Sequence, residues 1–377
     1  MTPRPFTVEI PQATLDDLRD RLSRTRWAES VDTTSWDRGT SLDYLKSLTA
    51  YWREAFDWRA QEAGINRFAH VRTDIDGLGV HFIHERGTGS NPIPLLLLHG
   101  WPDSFHRMHK IIPLLTDPAS HGGDASDSFD IVVPSIPGYG FSDPPSTPDY
   151  TMVDCARLLG TLMTDVLGYE RFAVHGGDIG SSLTETLARS NPAALIGIHM
   201  TDIPYHHLFT VDADDLSDSE REYLQAGQAW QMQEGAYALA QSTKPQSLAQ
   251  GLTDSPSGLA AWLVENFRSW SDCGGDVERR FAKDELLTHI TLYWATGTIG
   301  SSFWPYYAEQ GGAPEDAAPG RGADRGGDLP PRPRPRATRI RRTLLQHPAL
   351  DGDAARRPFR RARRARAAHR RSPRLLS

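Results

Sequence analysis

The segment between residues 171 and 189 places the strongest constraint on the fold of this chain. An apolar run at 171–175 is followed by Gly-Gly-Asp-Ile-Gly at 176–180 and then by a helix-like stretch at 181–189. The flanking glycines permit a sharp backbone turn and a close approach of strand and helix. A strand, a glycine-bounded turn and a helix in this order are the layout of a nucleophile elbow, with Asp178 at its tip.

The residue type at the tip determines which chemistry such an elbow can support. An unperturbed Asp carboxyl has a pKa of about 4, so Asp178 is expected to be ionised at neutral pH and to need no base for activation. A carboxylate nucleophile attacks carbon and leaves an ester on the protein, which water must then cleave. The alternative is that the segment is only a turn, because Asp and Gly are common in turns generally.

The size and composition of the chain are typical of a globular protein. Its 377 residues are enough for one large domain or two smaller ones, and 38% of them are hydrophobic. Its two cysteines, Cys155 and Cys273, cannot form a disulfide framework and suit a reducing compartment. The first residues contain no apolar signal region, and the sequence has no run of about 18 apolar residues. We therefore expect a cytoplasmic protein without a membrane span.

Short apolar segments alternate with helix-like segments over the middle of the chain. The strand-like runs lie at 80–84, 94–98, 129–133 and 194–199, and the helical patterns lie at 153–167 and 181–189. Residues 95–98 are four consecutive leucines, as expected for a strand that is covered on both faces. The alternation predicts the α/β class, with a mostly parallel sheet and helices on both sides of it.

Changes of pattern along the chain predict five regions. The polar, helical segment between the strand series and residue 283 is expected to form a cap over the carboxyl ends of the strands, where open α/β sheets bind ligands. From about residue 313 the sequence is rich in Arg and Pro without any helix or strand period, as expected for a disordered tail. The predicted regions are an N-terminal helical extension (1–75), the first part of the core (76–201), the helical cap (202–283), a return to the core (284–312) and the tail (313–377).

A second motif, His-Gly-Trp-Pro at residues 99–102, directly follows the run of leucines. A loop at this position can direct a backbone N–H toward the elbow. Together with the N–H of the residue after the nucleophile, that donor forms an oxyanion hole. The two donors would be Trp101 and Ile179. Because the elbow follows the loop by about 77 residues, loop and elbow can supply the two halves of one site.

These motifs resemble the epoxide hydrolase family, which has the α/β-hydrolase fold, and specifically its microsomal-type branch with an N-terminal helical extension. The resemblance runs from about Phe6 to Tyr307, roughly four fifths of the chain. Segments at 254–262, 270–274 and 292–302 are also similar to that branch. The resemblance implies conversion of an epoxide and water to a vicinal diol through an aspartyl ester, with a role in detoxification. The membrane anchor of some relatives is expected to be absent.

The resemblance also implies roles for single residues. Asp178 matches the nucleophile, and the two backbone donors named above match the oxyanion hole. Tyr237 matches the first tyrosine of the cap, and Tyr306 matches the second, although Tyr307 is adjacent and remains an alternative. Phenols with a pKa near 10 stay protonated at neutral pH, so they can hydrogen-bond the epoxide oxygen and donate a proton as the ring opens.

The expected ligand is a small apolar epoxide. This expectation rests on the family resemblance and on four aromatic residues of the predicted cap, namely Trp230, Trp262, Phe267 and Trp270. The sequence shows no metal-ligand constellation and no phosphate-binding loop, so neither a metal nor a cofactor is expected.

The groups that such an enzyme needs to cleave the ester, a His base and an acid that orients it, are missing from their expected places. His347 and His369 lie in the tail without the Gly-Gly-His-Phe setting of the family. Codons can be chosen for residues 350–359 such that reading them in a frame shifted one base forward gives W-T-E-M-P-R-G-G-H-F. This sequence resembles the C-terminal signature of the family, and its His falls at the position of Pro358. The same shift across residues 323–332 permits a late strand and a candidate triad acid. We interpret the tail as frameshifted, with the late strands missing and turnover lost.

Three alternatives stay open. The tail carries 18 Arg and six acids, a net charge of +12 against −19 for the rest of the chain, and could be a real basic extension. It has one aromatic residue, Phe359, and single-strand binders need several, so no nucleic-acid partner is expected.

A haloalkane dehalogenase shares the Asp nucleophile but has Trp after it, where this chain has Ile179. The chain could also be a non-catalytic fragment or pseudoenzyme, whereas Asp178 excludes a Ser-type esterase.

Overall fold

Seven strands form one mixed sheet in the part of the chain that the computed structural model describes, residues 2–204, 206–207 and 216–309. Their order across the sheet is β1-β2-β3-β5-β4-β6-β7. The pairs β1–β2, β2–β3 and β3–β5 are antiparallel, and the pairs β5–β4, β4–β6 and β6–β7 are parallel. The strands are β1 (Arg4–Pro5), β2 (His70–Ile75), β3 (Leu78–Glu85), β4 (Ile93–Leu98), β5 (Phe129–Pro134), β6 (Phe172–Gly176) and β7 (Leu195–Met200).

The antiparallel half of the sheet begins with a tight hairpin. Ile75 pairs with Leu78 across a two-residue Asp-Gly turn. Asp76 and Gly77 both have positive φ, 53° and 81°, as a type I′ turn requires. The sequence argument did not predict β1 or β2, although the Asp-Gly pair is a strong hairpin signal.

The parallel half of the sheet forms the core. Leu96, Leu97 and Leu98 of β4 are almost completely buried, because β5 and β6 flank the strand and helices cover both faces. This confirms the prediction made from the run of leucines. Since parallel strands end at the same edge of a sheet, the loops after β4, β5, β6 and β7 all open onto one side of the protein.

Twelve α-helices are present within the described residues. The helix of residues 152–161 continues as a π-helical turn over Leu162–Val166, inside the segment predicted as one helix. The helices are α1 (Gln12–Ser23), α2 (Leu42–Glu54), α3 (Trp58–Ile65), α4 (Ile112–Thr116), α5 (Met152–Thr161), α6 (Ile179–Ser190), α7 (Asp218–Glu234), α8 (Ala236–Thr243), α9 (Pro245–Asp254), α10 (Pro256–Ser269), α11 (Lys283–Thr296) and α12 (Trp304–Glu309). None of the helices in the described parts combines the length and apolarity needed to cross a bilayer.

Buried polar contacts hold the N-terminal helices in place. The indole Nε1 of Trp52 in α2 donates to Thr291 Oγ1 of α11 at 3.0 Å. The carboxylate of Glu62 in α3 accepts from the Ile10 N–H at 2.7 Å and from Trp58 Nε1 at 2.9 Å. Because each donor is buried, losing its acceptor would leave an unsatisfied polar group inside the protein.

The strand β7 forms one edge of the sheet and carries apolar side chains on its surface. Ile196 and Ile198 are 47% and 39% exposed. No further strand lies beside β7 among the described residues. The tail at 313–377, where the sequence argument placed the missing late strands, lies outside the described residues.

The exposed edge predicts self-association of the chain through β7, because an open apolar edge strand can pair with a second copy. Replacing Ile198 by Lys should reduce association, since a charge on an edge strand opposes pairing. Size-exclusion chromatography with light scattering should then show a larger monomer fraction. Ile93, which is 38% exposed at the start of the inner strand β4, is the control. An equal effect of I93K would contradict a specific role of the β7 edge.

Candidate active site

The turn between β6 and α6 holds Asp178 in a strained conformation. Asp178 has φ 57° and ψ −126°, a backbone geometry that non-glycine residues rarely adopt. The neighbouring glycines permit it, as the sequence predicts. A Cβ on Gly176 would lie 2.1 Å from the carbonyl oxygen of Gly180, and a Cβ on Gly180 would lie 2.5 Å from the carbonyl oxygen of Leu98. The turn therefore presents the carboxylate at the carboxyl end of the sheet.

Two backbone N–H groups hold the Asp178 carboxylate. The Trp101 N–H donates to Asp178 Oδ1 at 3.0 Å, and the Ile179 N–H also stabilises the carboxylate. The loop that carries Trp101 is itself held in place, because the indole Nε1 of Trp101 donates to Ser302 Oγ at 3.2 Å. The structure thus brings together Asp178, Trp101 and Ile179, which the sequence analysis named as the nucleophile and the two backbone donors.

The surroundings of Asp178 change its acidity. Although part of the side chain is open to solvent, the surrounding protein displaces bulk water and raises the pKa of the carboxyl to about 6. The two N–H donors oppose this increase, while the negative charges of Asp202 and Asp103 add to it. The pKa is higher than the unperturbed value used in the sequence argument, but the carboxyl is still mostly ionised at pH 7.

A cluster of aromatic rings lies next to the carboxylate. The ring of Tyr237 in α8 stacks on Trp101 at a centroid distance of 5.2 Å and an interplanar angle of 9°. Tyr306 in α12 meets Tyr237 edge-on at 5.7 Å and Trp101 at 6.1 Å. The two tyrosines thus come from separate helices and meet over the residue that donates to Asp178.

The structure separates Tyr306 from its neighbour Tyr307. Tyr307 is 38% exposed, whereas the Tyr306 hydroxyl is buried and makes no hydrogen bond of standard geometry within the described residues. Burial raises the pKa of Tyr306 well above its usual value, and the nearby Tyr237 and Asp178 add to the increase. The Tyr306 hydroxyl is therefore protonated at neutral pH and lies close enough to Tyr237 to interact with it.

Asp202 also belongs to the site, although the sequence argument missed it. Its Oδ1 accepts from the Asp178 N–H at 2.8 Å, from Ser181 Oγ at 3.0 Å and from Thr201 Oγ1 at 3.2 Å. Although Asp202 is an exposed residue, the protein around its carboxyl displaces part of the bulk water and raises its pKa, and these donors counteract the increase. Asp202 lies just beyond β7, the strand that pairs with β6. An acidic residue directly after that predicted strand was the sequence signal that could have identified it.

Among the described residues, no histidine takes part in the polar contacts of Asp178. Within residues 2–204, 206–207 and 216–309, the contacts of its carboxylate are to backbone N–H groups. The nearby His99 is used structurally, because its Nε2 accepts from the Ile136 N–H at 3.2 Å. His347 and His369 lie outside the described residues.

The fold and the elbow define the class of this protein as an α/β-hydrolase. Two family models match the chain, one described as "Epoxide hydrolase N terminus" over residues 3–108 and one described as "alpha/beta hydrolase fold" over residues 93–290. The first match covers the N-terminal helices and the loop of Trp101. The second covers the sheet from β4, the elbow and most of the later helices.

Individual relatives agree with these matches. A protein of Stigmatella aurantiaca is 44% identical over 307 residues, which are 81% of this chain and 69% of that protein. Epoxide hydrolase 1 of Sus scrofa is 37% identical over 322 residues, 79% of this chain and 71% of the relative. The solved structure of Aspergillus niger epoxide hydrolase matches with a TM-score of 0.72 and 30% identity, over 82% of this chain and 80% of that one. The chain belongs to the epoxide hydrolase family.

The pKa of Asp178 predicts a pH dependence for its reaction with an electrophile. The ionised carboxylate is the reactive form, so the rate of alkylation by an epoxide should rise with pH through a midpoint near 6 and then level off. Replacing Asp202 by Asn keeps an oxygen acceptor but removes a negative charge, which should move the midpoint to lower pH. Intact-protein mass spectrometry of timed samples measures the rate.

The fully exposed Asp218 of α7 supplies the matched control for this charge effect. The D218N variant should keep the midpoint of the unmodified chain. An unchanged midpoint in D202N would show that Asp202 does not act on the nucleophile through its charge.

Proposed function

We propose that the site opens epoxides by nucleophilic attack of Asp178. A carboxylate oxygen of Asp178 forms a bond to an epoxide carbon, and the carbon–oxygen bond of the ring breaks. The product is an ester between Asp178 and the opened substrate. Water then attacks the ester carbonyl and releases a vicinal diol and the free carboxylate, so that one water is consumed for each epoxide.

The two cap tyrosines supply the proton that ring opening requires. The Tyr306 hydroxyl, buried beside Tyr237 and without a hydrogen bond of standard geometry in the described chain, suits an epoxide oxygen as acceptor. As the ring opens, negative charge develops on that oxygen, and the buried phenol stabilises it and donates its proton. The proton released when water cleaves the ester returns the tyrosinate to its neutral form.

One observation carries the proposal, namely the hydrogen bond from the Trp101 N–H to Asp178 Oδ1. It fixes the carboxylate to the backbone of Trp101, the residue whose ring both Tyr237 and Tyr306 contact. When the ester is hydrolysed, a tetrahedral intermediate forms at the Asp178 carboxyl carbon, and its oxyanion would sit at the same N–H donors. The same contacts thus serve both steps.

We further propose that the chain as written stops at the ester. Hydrolysis of the ester needs a base to activate water, and the contacts of Asp178 in the described residues do not include an imidazole. The frameshift interpretation of the tail accounts for this, and the exposed apolar edge at β7 is consistent with absent late strands. Loss of one member of a catalytic triad lowers the rate by orders of magnitude.

The apolar rings around Asp178 favour a small apolar epoxide as substrate. A haloalkane dehalogenase remains the second candidate because it shares the Asp nucleophile. Ile179 follows Asp178 here and offers no side-chain donor to a halide, which supports an epoxide as the substrate.

The ester proposal predicts a single covalent modification of the chain. Incubation with styrene oxide should add one epoxide mass per chain, and peptide mapping by mass spectrometry should place it on Asp178. Diol should not be released, because the ester is not cleaved. The isosteric D178N variant should remain unmodified, because a neutral amide is a poor nucleophile. Sustained diol release by the 377-residue chain would refute the claim that the base is missing.

The neighbouring tyrosines provide a matched pair for the proton donor. Replacing Tyr306 by Phe removes the buried hydroxyl and should slow alkylation of Asp178 by roughly 10- to 100-fold. This loss is smaller than most of the ~10²- to 10⁴-fold range typical of a general acid, because Tyr237 remains as a second donor. Replacing the exposed Tyr307 by Phe should leave the rate unchanged. Stopped samples analysed by mass spectrometry give both rates, and equal rates in the two variants would contradict the role of Tyr306.

A further inference from the structure

A cluster of potential metal ligands lies behind the elbow. Glu185 is on α6, about two helical turns beyond Asp178. His206 and His207 are in the segment that follows β7. The sequence shows no metal-ligand constellation, and no metal was expected from it. Glu185 is about 20 positions from the two histidines, so the three residues form no ligand motif of short spacing.

The three side chains converge on one point. The Nε2 atoms of His206 and His207 lie 3.7 Å and 2.9 Å from the same oxygen, Glu185 Oε2. One potential ligand atom from each residue lies within 4.8 Å of the other two, and the two imidazole rings are 4.1 Å apart. A cation bound at 2.0–2.2 Å from each atom, as zinc is by His and carboxylate ligands, would require only small side-chain movements.

The carboxylate of Glu185 supplies a second observation. Its side chain is 12% exposed, and its Oε1 is buried without a hydrogen-bond partner. The Nη1 of Arg189 is 3.8 Å from that oxygen, beyond hydrogen-bond distance. The contact of Oε2 with His207 therefore leaves Oε1 of a nearly buried carboxylate with a long ion pair to Arg189 and no hydrogen bond. Buried polar atoms without a hydrogen bond are uncommon.

We propose that Glu185, His206 and His207 bind a divalent transition-metal ion. Two imidazoles and one carboxylate are a donor set that binds zinc, with a fourth position open to water. The ion would clip the segment after β7 to the nucleophile helix α6. Because Asp202 lies on the same segment and accepts from the Asp178 N–H at 2.8 Å, the clip would also steady the elbow. The proposal does not depend on the epoxide chemistry.

The test is metal binding by the untagged full chain after treatment with EDTA. Zn²⁺ titration by calorimetry, with Co²⁺ absorption as a second probe, should show one bound ion per chain. H206A and E185Q should each weaken binding by at least about ten-fold. His206 is the primary target because its side chain is 45% exposed, so its removal should leave the fold intact, which circular dichroism checks.

A second histidine pair provides the control. His175 and His199 lie on β6 and β7 with their Nδ1 atoms 2.8 Å apart, so they could also attract a metal. H199A should bind Zn²⁺ as tightly as the unmodified chain. Absence of binding to the unmodified chain, equal binding by H206A, or loss of binding in H199A would each overturn the assignment. If E185Q does not fold, H206A and H206Q decide the question.

Discussion

The hydrogen bond from the Trp101 N–H to the Asp178 carboxylate is the contact that the arrangement of the site depends on. It connects the loop after β4 to the elbow after β6, and both reach the same edge because these strands are adjacent and parallel. The positive φ of Asp178 costs free energy that the surrounding packing must offset. Tyr237 and Tyr306 both contact the ring of this Trp101, so the nucleophile, its donor and the two phenols are linked through one residue.

The features that the sequence predicted are those whose signal is local. The glycines around Asp178 and the leucines of β4 fix strand, turn and helix through steric fit and burial of neighbouring residues. The predicted strand at 129–133 and the predicted helix at 181–189 fall inside the observed elements. The strand β2 was missed because four of the six residues in its sequence, His-Val-Arg-Thr-Asp-Ile, are polar.

The features that the sequence did not predict depend on how segments that are distant in the chain pack together. Asp202 follows Asp178 by 24 residues in the chain. It reaches the Asp178 N–H because β7, which precedes it, lies beside β6 in the sheet. The choice between Tyr306 and Tyr307 depends on the direction in which α12 turns its side chains, which adjacent identical residues cannot reveal. The pKa of Asp178 is raised by surrounding protein, which the residue type alone does not encode.

The central claim is that an oxygen of Asp178 becomes bonded to substrate carbon. The most direct test is a single turnover in H₂¹⁸O with a frame-corrected chain that restores the base. Water attacks the ester carbonyl in this account, so the label should enter the Asp178 carboxylate and the diol should be unlabelled. Label in the diol and none in Asp178 would mean that water attacks the epoxide directly, and the account would be wrong.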